Sequence, residues 1–255
     1  QSKVSSLLNM SDTEIRNLLD NAGGAEGGSQ PCAENNPGSN ISTVEDTYIL
    51  ALLYHLTGTI DYAHRAAYLL DRYAEVFPNW PKDYGIGQGN GIWTNWFHWD
   101  LSKAMRLALA YDLIYNSGEI ENIGSSKTEI EDFLTLIGQC DFNWPIYTFN
   151  HAYFRPLAIV VFGRVLNDPE LVHVGYWYVS KLLLEGYGHD SFWCEGTYQY
   201  HNLISYKFVD PVHRELQAFY LDGYSDPANY GHKPFDVRYD PVRYDNYNFE
   251  NLQYA

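Results

Sequence analysis

Stretches with helical apolar spacing are separated by connections of contrasting length, and this alternation restricts the folds open to the chain. Short or intermediate connections alternate with long ones along the sequence: short or intermediate at 57–59, 116–125 and 167–169, long at 78–99, 138–149 and 185–194. Helices joined by short turns run antiparallel, so every second connection of an up-down array leaves from the same end. The pattern therefore predicts that the three long loops lie together at one end of an array of antiparallel helical hairpins.

The helices themselves are predicted from apolar spacing and end signals, and no stretch alternates in the manner of a strand. Ser42 with Glu45 has the spacing of a capping box, while Asp168 followed by Pro169 is typical of an N-cap and a first helical position. Pro156 is tolerated if it lies in the first turn of its helix. The predicted helices cover 44–56, 60–77, 100–115, 126–138, 152–166, 170–184 and 198–220.

This pattern predicts an all-α fold, an α/α toroid in the form of an incomplete ring of helical hairpins. The organisation divides into an N-terminal helix and irregular arm at 1–42, a toroid domain at 43–222 and an extended C-terminal segment at 223–255. The boundary near residue 42 follows from the Gly-, Asn-, Pro- and Ser-rich sequence of 22–42, and the second from the Tyr- and Asp-rich end.

Charge and composition exclude several classes of function. With 16 basic and 32 acidic residues the chain carries a formal charge of −16, which argues against a nucleic-acid partner. The same charge would also repel an acidic polysaccharide, unless the binding cleft is locally neutral or basic. No apolar run approaches the roughly 20 residues of a membrane span. The three cysteines leave open whether a disulfide forms. They lack metal-type spacing, so we expect no metal. We also expect no cofactor.

The predicted long loops and their exits are unusually rich in Trp, His and Asn. Flat amphipathic rings suit the stacking of sugars, so their convergence predicts the floor of a carbohydrate-binding cleft. The main side chains concerned are Trp93, Trp96, His98, Trp99, Asn150, His151, His189 and Glu195.

A longer motif carries a family resemblance. The segment "FNHAYFRPLAIVVFGRVLNDPELVHVGYWYVSKLLLEGYGHDSFWCEGTYQYH" resembles the central segment of heparinase II/III-like and oligoalginate-type polysaccharide lyases. The shared pattern is an Asn-His pair opening a helix, an Asn-Asp-Pro turn, a second helix, and then Asp, Glu-Gly and Tyr-His. The resemblance covers roughly 43–225. The family's usual Asp-Gly is here Asp190-Ser191, and its C-terminal β-sandwich has no counterpart in this chain.

The resemblance implies β-elimination on a uronic-acid polysaccharide or oligosaccharide by a secreted or periplasmic enzyme. Asn150 would hydrogen-bond the sugar carboxylate and stabilise the enolate-like intermediate, and His151 would act as base or hold the carboxylate. Tyr200, with Tyr198 in reserve, would exchange the proton with C5 and the leaving oxygen. The remaining expected contacts are substrate-binding side chains: Trp93, Trp96, His98, Trp99, His189, Glu195 and His201.

Two other readings stay open at the level of sequence. A glycoside hydrolase on the same toroid would need two carboxylates across the scissile bond, which Asp100, Asp190 and Glu195 could supply. A non-catalytic carbohydrate-binding domain would bind without turnover. Taken singly, Asn150 is as compatible with a plain N-cap as with a ligand donor.

Overall fold

The computed structural model describes residues 2–18, 37–79, 97–142, 154–169, 171–172, 175, 186, 194 and 196–204. The chain forms two compact units, Gln1–Asn143 and Trp144–Ala255. Throughout the described ranges the regular elements are helical and no strand occurs, which confirms the all-α prediction. None of the helices in those ranges combines the length and apolar character needed to cross a bilayer.

The first unit contains seven of the described α-helices and the second contains two. In the first unit they are α1 Ser2–Asn9, α2 Asp12–Arg16, α3 Pro37–Thr57, α4 Ile60–Val76, α5 Phe97–Ile114, α6 Glu119–Asn122 and α7 Lys127–Phe142, with a 3-10 turn at Phe77–Asn79. In the second they are α8 Phe154–Val165 and α9 Tyr198–Ile204.

Helix α4 is the centre of the first unit. It packs against α2, α3, α5, α6 and α7, and its buried face is built largely from alanine and leucine. Small side chains let neighbouring helices approach closely. At one end Tyr73 supplies bulk by stacking its ring on Phe133 of α7, and Phe77 packs against the same ring edge to face. Helices α3 and α4 form a hairpin whose two-residue connection uses Gly58 in the left-handed region, at φ +69°.

The predicted start of α3 is wrong. The helix begins at Pro37, so Ser42 lies inside it rather than at its N-cap. Glu45, the proposed partner in the capping box, instead pairs with Lys103 Nζ of α5 at 2.5 Å and with Arg106. A tertiary ion pair has therefore replaced the local hydrogen bond that the spacing suggested.

Two predicted loops are shorter than expected. Helix α5 begins at Phe97, which places His98 and Trp99 in its first turn, and α7 continues to Phe142. Most of the three long connections lies outside the described residues, as does 223–255. Their gathering at one end of the array stays a prediction.

Candidate functional site

The described core of the candidate site is the hairpin that follows the Asn150-His151 pair. Helix α8 begins at Phe154, so Pro156 lies in its first turn, which is the position where a proline is tolerated. There the proline removes no intrahelical hydrogen bond, because the first N–H groups of a helix have no partner within it. Asn150 and His151 themselves lie outside the described residues.

The Asn-Asp-Pro turn ends α8 and starts the next helical segment within three residues. Asn167 takes the left-handed conformation at φ 52°. The N–H of Asn167 donates to Arg164 O at 3.1 Å, and that of Asp168 donates to Gly163 O at 2.8 Å. This is the Schellman pattern of helix ends, with asparagine in the place where glycine is commonest.

Asp168 makes hydrogen bonds both to the end of α8 and to the start of the next helical segment. Its Oδ1 accepts a hydrogen bond from the N–H of Leu171 at 3.2 Å, and Pro169 is the first helical residue. The predicted N-cap is therefore confirmed. With the chain reversed over so few residues, the new helical segment returns along α8.

Glycines set how closely the two arms of this hairpin approach. A Cβ atom at Gly163 would lie 2.6 Å from Val172 Cγ2, and one at Gly175 would lie 2.5 Å from Val160 Cγ2. Real Cβ contacts are essentially never that short. The glycines on the two arms thus permit the close packing of the helices in the described part of the second unit.

The two candidate tyrosines, Tyr198 and Tyr200, lie at the start of α9. Tyr198 is the first residue of the helix and its side chain is 70% exposed. Tyr200 lies two residues further, in the same first turn. His201 is buried, and its N–H donates to Thr197 O at 3.0 Å. Gly196 precedes the helix at φ +71° and lets the chain turn into it.

The other predicted substrate contacts are distributed as follows. His98 and Trp99 belong to the first turn of α5 in the first unit, as does Asp100 of the hydrolase reading. Lying outside the described residues are Trp93, Trp96, His189, Asp190 and Glu195.

Charge-bearing clusters in the described residues do not have the form of a metal centre. Across the described ranges, no group of three or more His, Cys, Asp or Glu side chains could hold a metal ion. Tyr111 is fully buried and donates to Glu131 at 2.7 Å. Burial and that carboxylate raise the pKa of Tyr111 far above its usual value, so this phenol stays protonated and ties α5 to α7.

Two helix starts carry structural caps that the sequence analysis did not predict. Ser11 with Glu14 and Ser126 with Glu129 form true capping boxes at the starts of α2 and α7. Both have the Ser-x-x-Glu spacing, which was a usable signal.

No protein-family model matches the chain, and none of the curated proteins is significantly similar to it in sequence.

Proposed function

We propose that the chain is a polysaccharide lyase that cleaves a uronic-acid-containing polysaccharide or oligosaccharide by β-elimination, on an open α/α toroid. The observation that carries the proposal is the exposed phenol of Tyr198 at the start of α9. It belongs to the unit Trp144–Ala255, which also contains Asn150, His151 and Tyr200.

The described backbone supports the proposal because it follows the element order implied by the resemblance. A helix begins just after the Asn-His pair, an Asn-Asp-Pro turn reverses the chain, a second helical segment packs on the first, and a new helix begins at Tyr198. A chain reversal between His151 and Tyr198 is what would let residues so distant in sequence share one site.

In the proposed reaction each group meets one chemical demand of β-elimination. Asn150 donates a hydrogen bond to the uronate carboxylate, which makes the C5 proton more acidic and stabilises the enolate-like intermediate. His151 holds the same carboxylate or takes the C5 proton. A tyrosine of α9, Tyr200 first and Tyr198 second, protonates the leaving O4. Where His151 holds the carboxylate, the same tyrosine, as phenolate, takes the C5 proton and passes it to O4. This reaction needs no metal or cofactor, and its polymeric substrate fits a secreted or periplasmic location.

The test is turnover on a panel of uronic-acid polymers, including alginate, glucuronan, hyaluronan, chondroitin and heparan sulfate. A lyase leaves an unsaturated uronate that absorbs in the ultraviolet, whereas a hydrolase leaves only a new reducing end. Absorbance growth on one polymer supports the proposal. New reducing ends without absorbance would replace it by the hydrolase reading, and binding without either product by the non-catalytic one.

Tyrosine-to-phenylalanine variants then assign the proton transfer. Tyr200→Phe keeps the ring and removes the hydroxyl, so turnover should nearly vanish while substrate still binds. If Tyr198→Phe is the inactive variant instead, the role moves to the exposed phenol and the mechanism stands. The matched control is Tyr115→Phe. Tyr115 directly follows α5 in the first unit, so this variant should keep full activity. Asn150→Ala should lower the rate by about 10²–10³-fold.

A further inference from the structure

The short helices α1 and α2 are attached to the rest of the first unit mainly along α4, and residues 2–18 are here called the strap. Helix α1 has eight residues and α2 has five. Helices this short do not persist alone in water, because nucleation outweighs the few hydrogen bonds gained. The strap's helical structure therefore depends on its docking to α4.

Both ends of α2 are held on α4 by charged side chains. At the first position, Asp12 pairs with Arg65 and lies 3.3 Å from Nε2 of His64. At the last position, Arg16 bonds Asp71 and Glu75. The partners advance along α4 in the same order as the anchors advance along α2, so the two helices run in the same direction.

The direction of the pKa changes agrees with these pairs. Partial burial would raise the pKa of Asp12, but the hydrogen bond from Arg65 and the nearby His64 outweigh it and leave that pKa below its usual value. The Arg72 hydrogen bond, and then Arg16, lower the pKa of Glu75. Both carboxylates are thus ionised and attractive in the docked strap.

The charged anchors are partly exposed to solvent, whereas the helices beneath them bury an apolar core. The side chains of Asp12 and Glu75 are about half exposed, at 49% and 52%, and Arg16 is at 34%. Apolar attachment is limited to a few side chains, with Ile15 and Leu7 buried. Exposed ion pairs are screened by salt, while the packing of α3, α4, α5 and α7 is strengthened or unchanged by it.

From this contrast we propose that the strap is a charge-held element that lifts off α4 as a unit while the body α3–α7 stays folded. The movement changes one surface in particular. Arg16 lines a groove of about 440 Å³ between α4 and α7, whose other charged lining residues are Asp71, Glu75, Glu129 and Asp132. Among the described residues that line the groove, Arg16 is the only cation, so lifting the strap leaves that lining with carboxylates alone.

Hydrogen exchange followed by mass spectrometry on the full chain tests the proposal. The reporters are strap amides such as those of Ile15 and Asn17, which donate to Ser11 O and Thr13 O, compared with amides inside α4 and α7. Raising NaCl from about 0.05 M to about 1 M should increase strap exchange by about 3- to 10-fold and leave the α4 and α7 amides unchanged.

Charge-deleting variants separate the anchors from general salt effects. Arg16→Met keeps an aliphatic side chain, and it should speed strap exchange at low salt and remove most of the further response to salt. Asp12→Asn should act in the same direction from the other anchor. The matched control, Lys127→Met, deletes a lysine that pairs with Glu121 away from the strap and should leave strap exchange unchanged.

Two results would overturn the proposal. Strap amides that exchange at the rate of the α4 amides under all conditions would mean that the strap opens only when the whole unit unfolds. Strap exchange that ignores both salt and Arg16→Met would mean that Ile15 and Leu7, not charge, hold it. The salt series on the unaltered chain decides between these outcomes even if a variant fails to fold.

Discussion

The residues of the Asn-Asp-Pro turn differ from the glycines of the same hairpin in how far sequence alone reveals their roles. Asp168 and Pro169 could be predicted because a cap needs only the backbone two or three residues away. Gly163 and Gly175 could not be assigned a contact, because what excludes a side chain there is a valine on the facing arm. A sequence therefore indicates which residues can cap a helix, but not which positions lie too close to a neighbouring helix to carry a side chain.

Gly175→Ala should destabilise the second unit although alanine is the better helix former. The helical preference gains about 0.5–1 kcal/mol, but the new methyl group would lie 2.5 Å from Val160 Cγ2, and overpacking typically costs about 1–3 kcal/mol. We expect a net loss of about 1 kcal/mol in the free energy of unfolding, measured from urea midpoints at a common m-value.

The double variant Val160→Ala, Gly175→Ala identifies the cause. Removing Cγ2 makes room for the new methyl group, so the double variant should be more stable than the sum of the single changes by at least about 0.5 kcal/mol. Strict additivity would mean that the loss comes from elsewhere in the helix and not from this contact.

At the scale of whole elements, the same Ser-x-x-Glu spacing gives opposite outcomes at different places. At Ser126 and Glu129 it forms a capping box that starts α7, and at Ser42 and Glu45 it lies inside α3. At the second place the glutamate makes a tertiary contact, because Glu45 forms ion pairs with Lys103 and Arg106 of α5. The longer helices of the first unit, α3, α4, α5 and α7, were therefore predictable from apolar spacing, whereas α6 lies inside a predicted connection. The pairing of Glu45 with Lys103, 58 residues away, could not be predicted from local spacing.

Ser126→Ala should loosen the start of α7. The change removes the hydroxyl that accepts from the N–H of Glu129 at 3.1 Å, and loss of a serine cap costs about 1 kcal/mol. Amides in the first turn of α7 should exchange faster by about fivefold. Ser125→Ala is the control, because the Ser125 hydroxyl lies 3.5 Å from Glu129 and its loss should change exchange little. Equal effects of the two variants would contradict the capping role.

For the candidate site, the sequence supplies an order of residues along the chain, and their meeting in one place stays a prediction. The resemblance orders Asn150, His151 and the tyrosines along the chain, and the hairpin and the α9 start follow that order. Which side chains of α9 face solvent is a property of packing: Tyr198 is exposed while His201, three residues on, is buried. No spacing rule distinguishes those positions without the neighbouring helices.

For the molecule as a whole, the formal charge of −16 is the property that bears most directly on the proposed substrate. A uronic-acid polymer is a polyanion, so the long-range field of the chain opposes its approach. In the proposed mechanism, Asn150 would be an uncharged donor, which can hold a carboxylate without adding a countercharge to that field.

The proposed lyase should therefore work faster as ionic strength rises from low values. Screening shortens the Debye length from about 30 Å at 0.01 M to about 8 Å at 0.15 M, so kcat/KM on the polyanion should rise by about 3- to 10-fold over that range. The matched control is the same polymer with its carboxylates methyl-esterified, which is neutral and should bind or turn over without this salt dependence. A steep fall of kcat/KM with salt on the acid polymer would contradict the argument, because it would mean that a local cluster of basic side chains, and not an uncharged donor, captures the substrate.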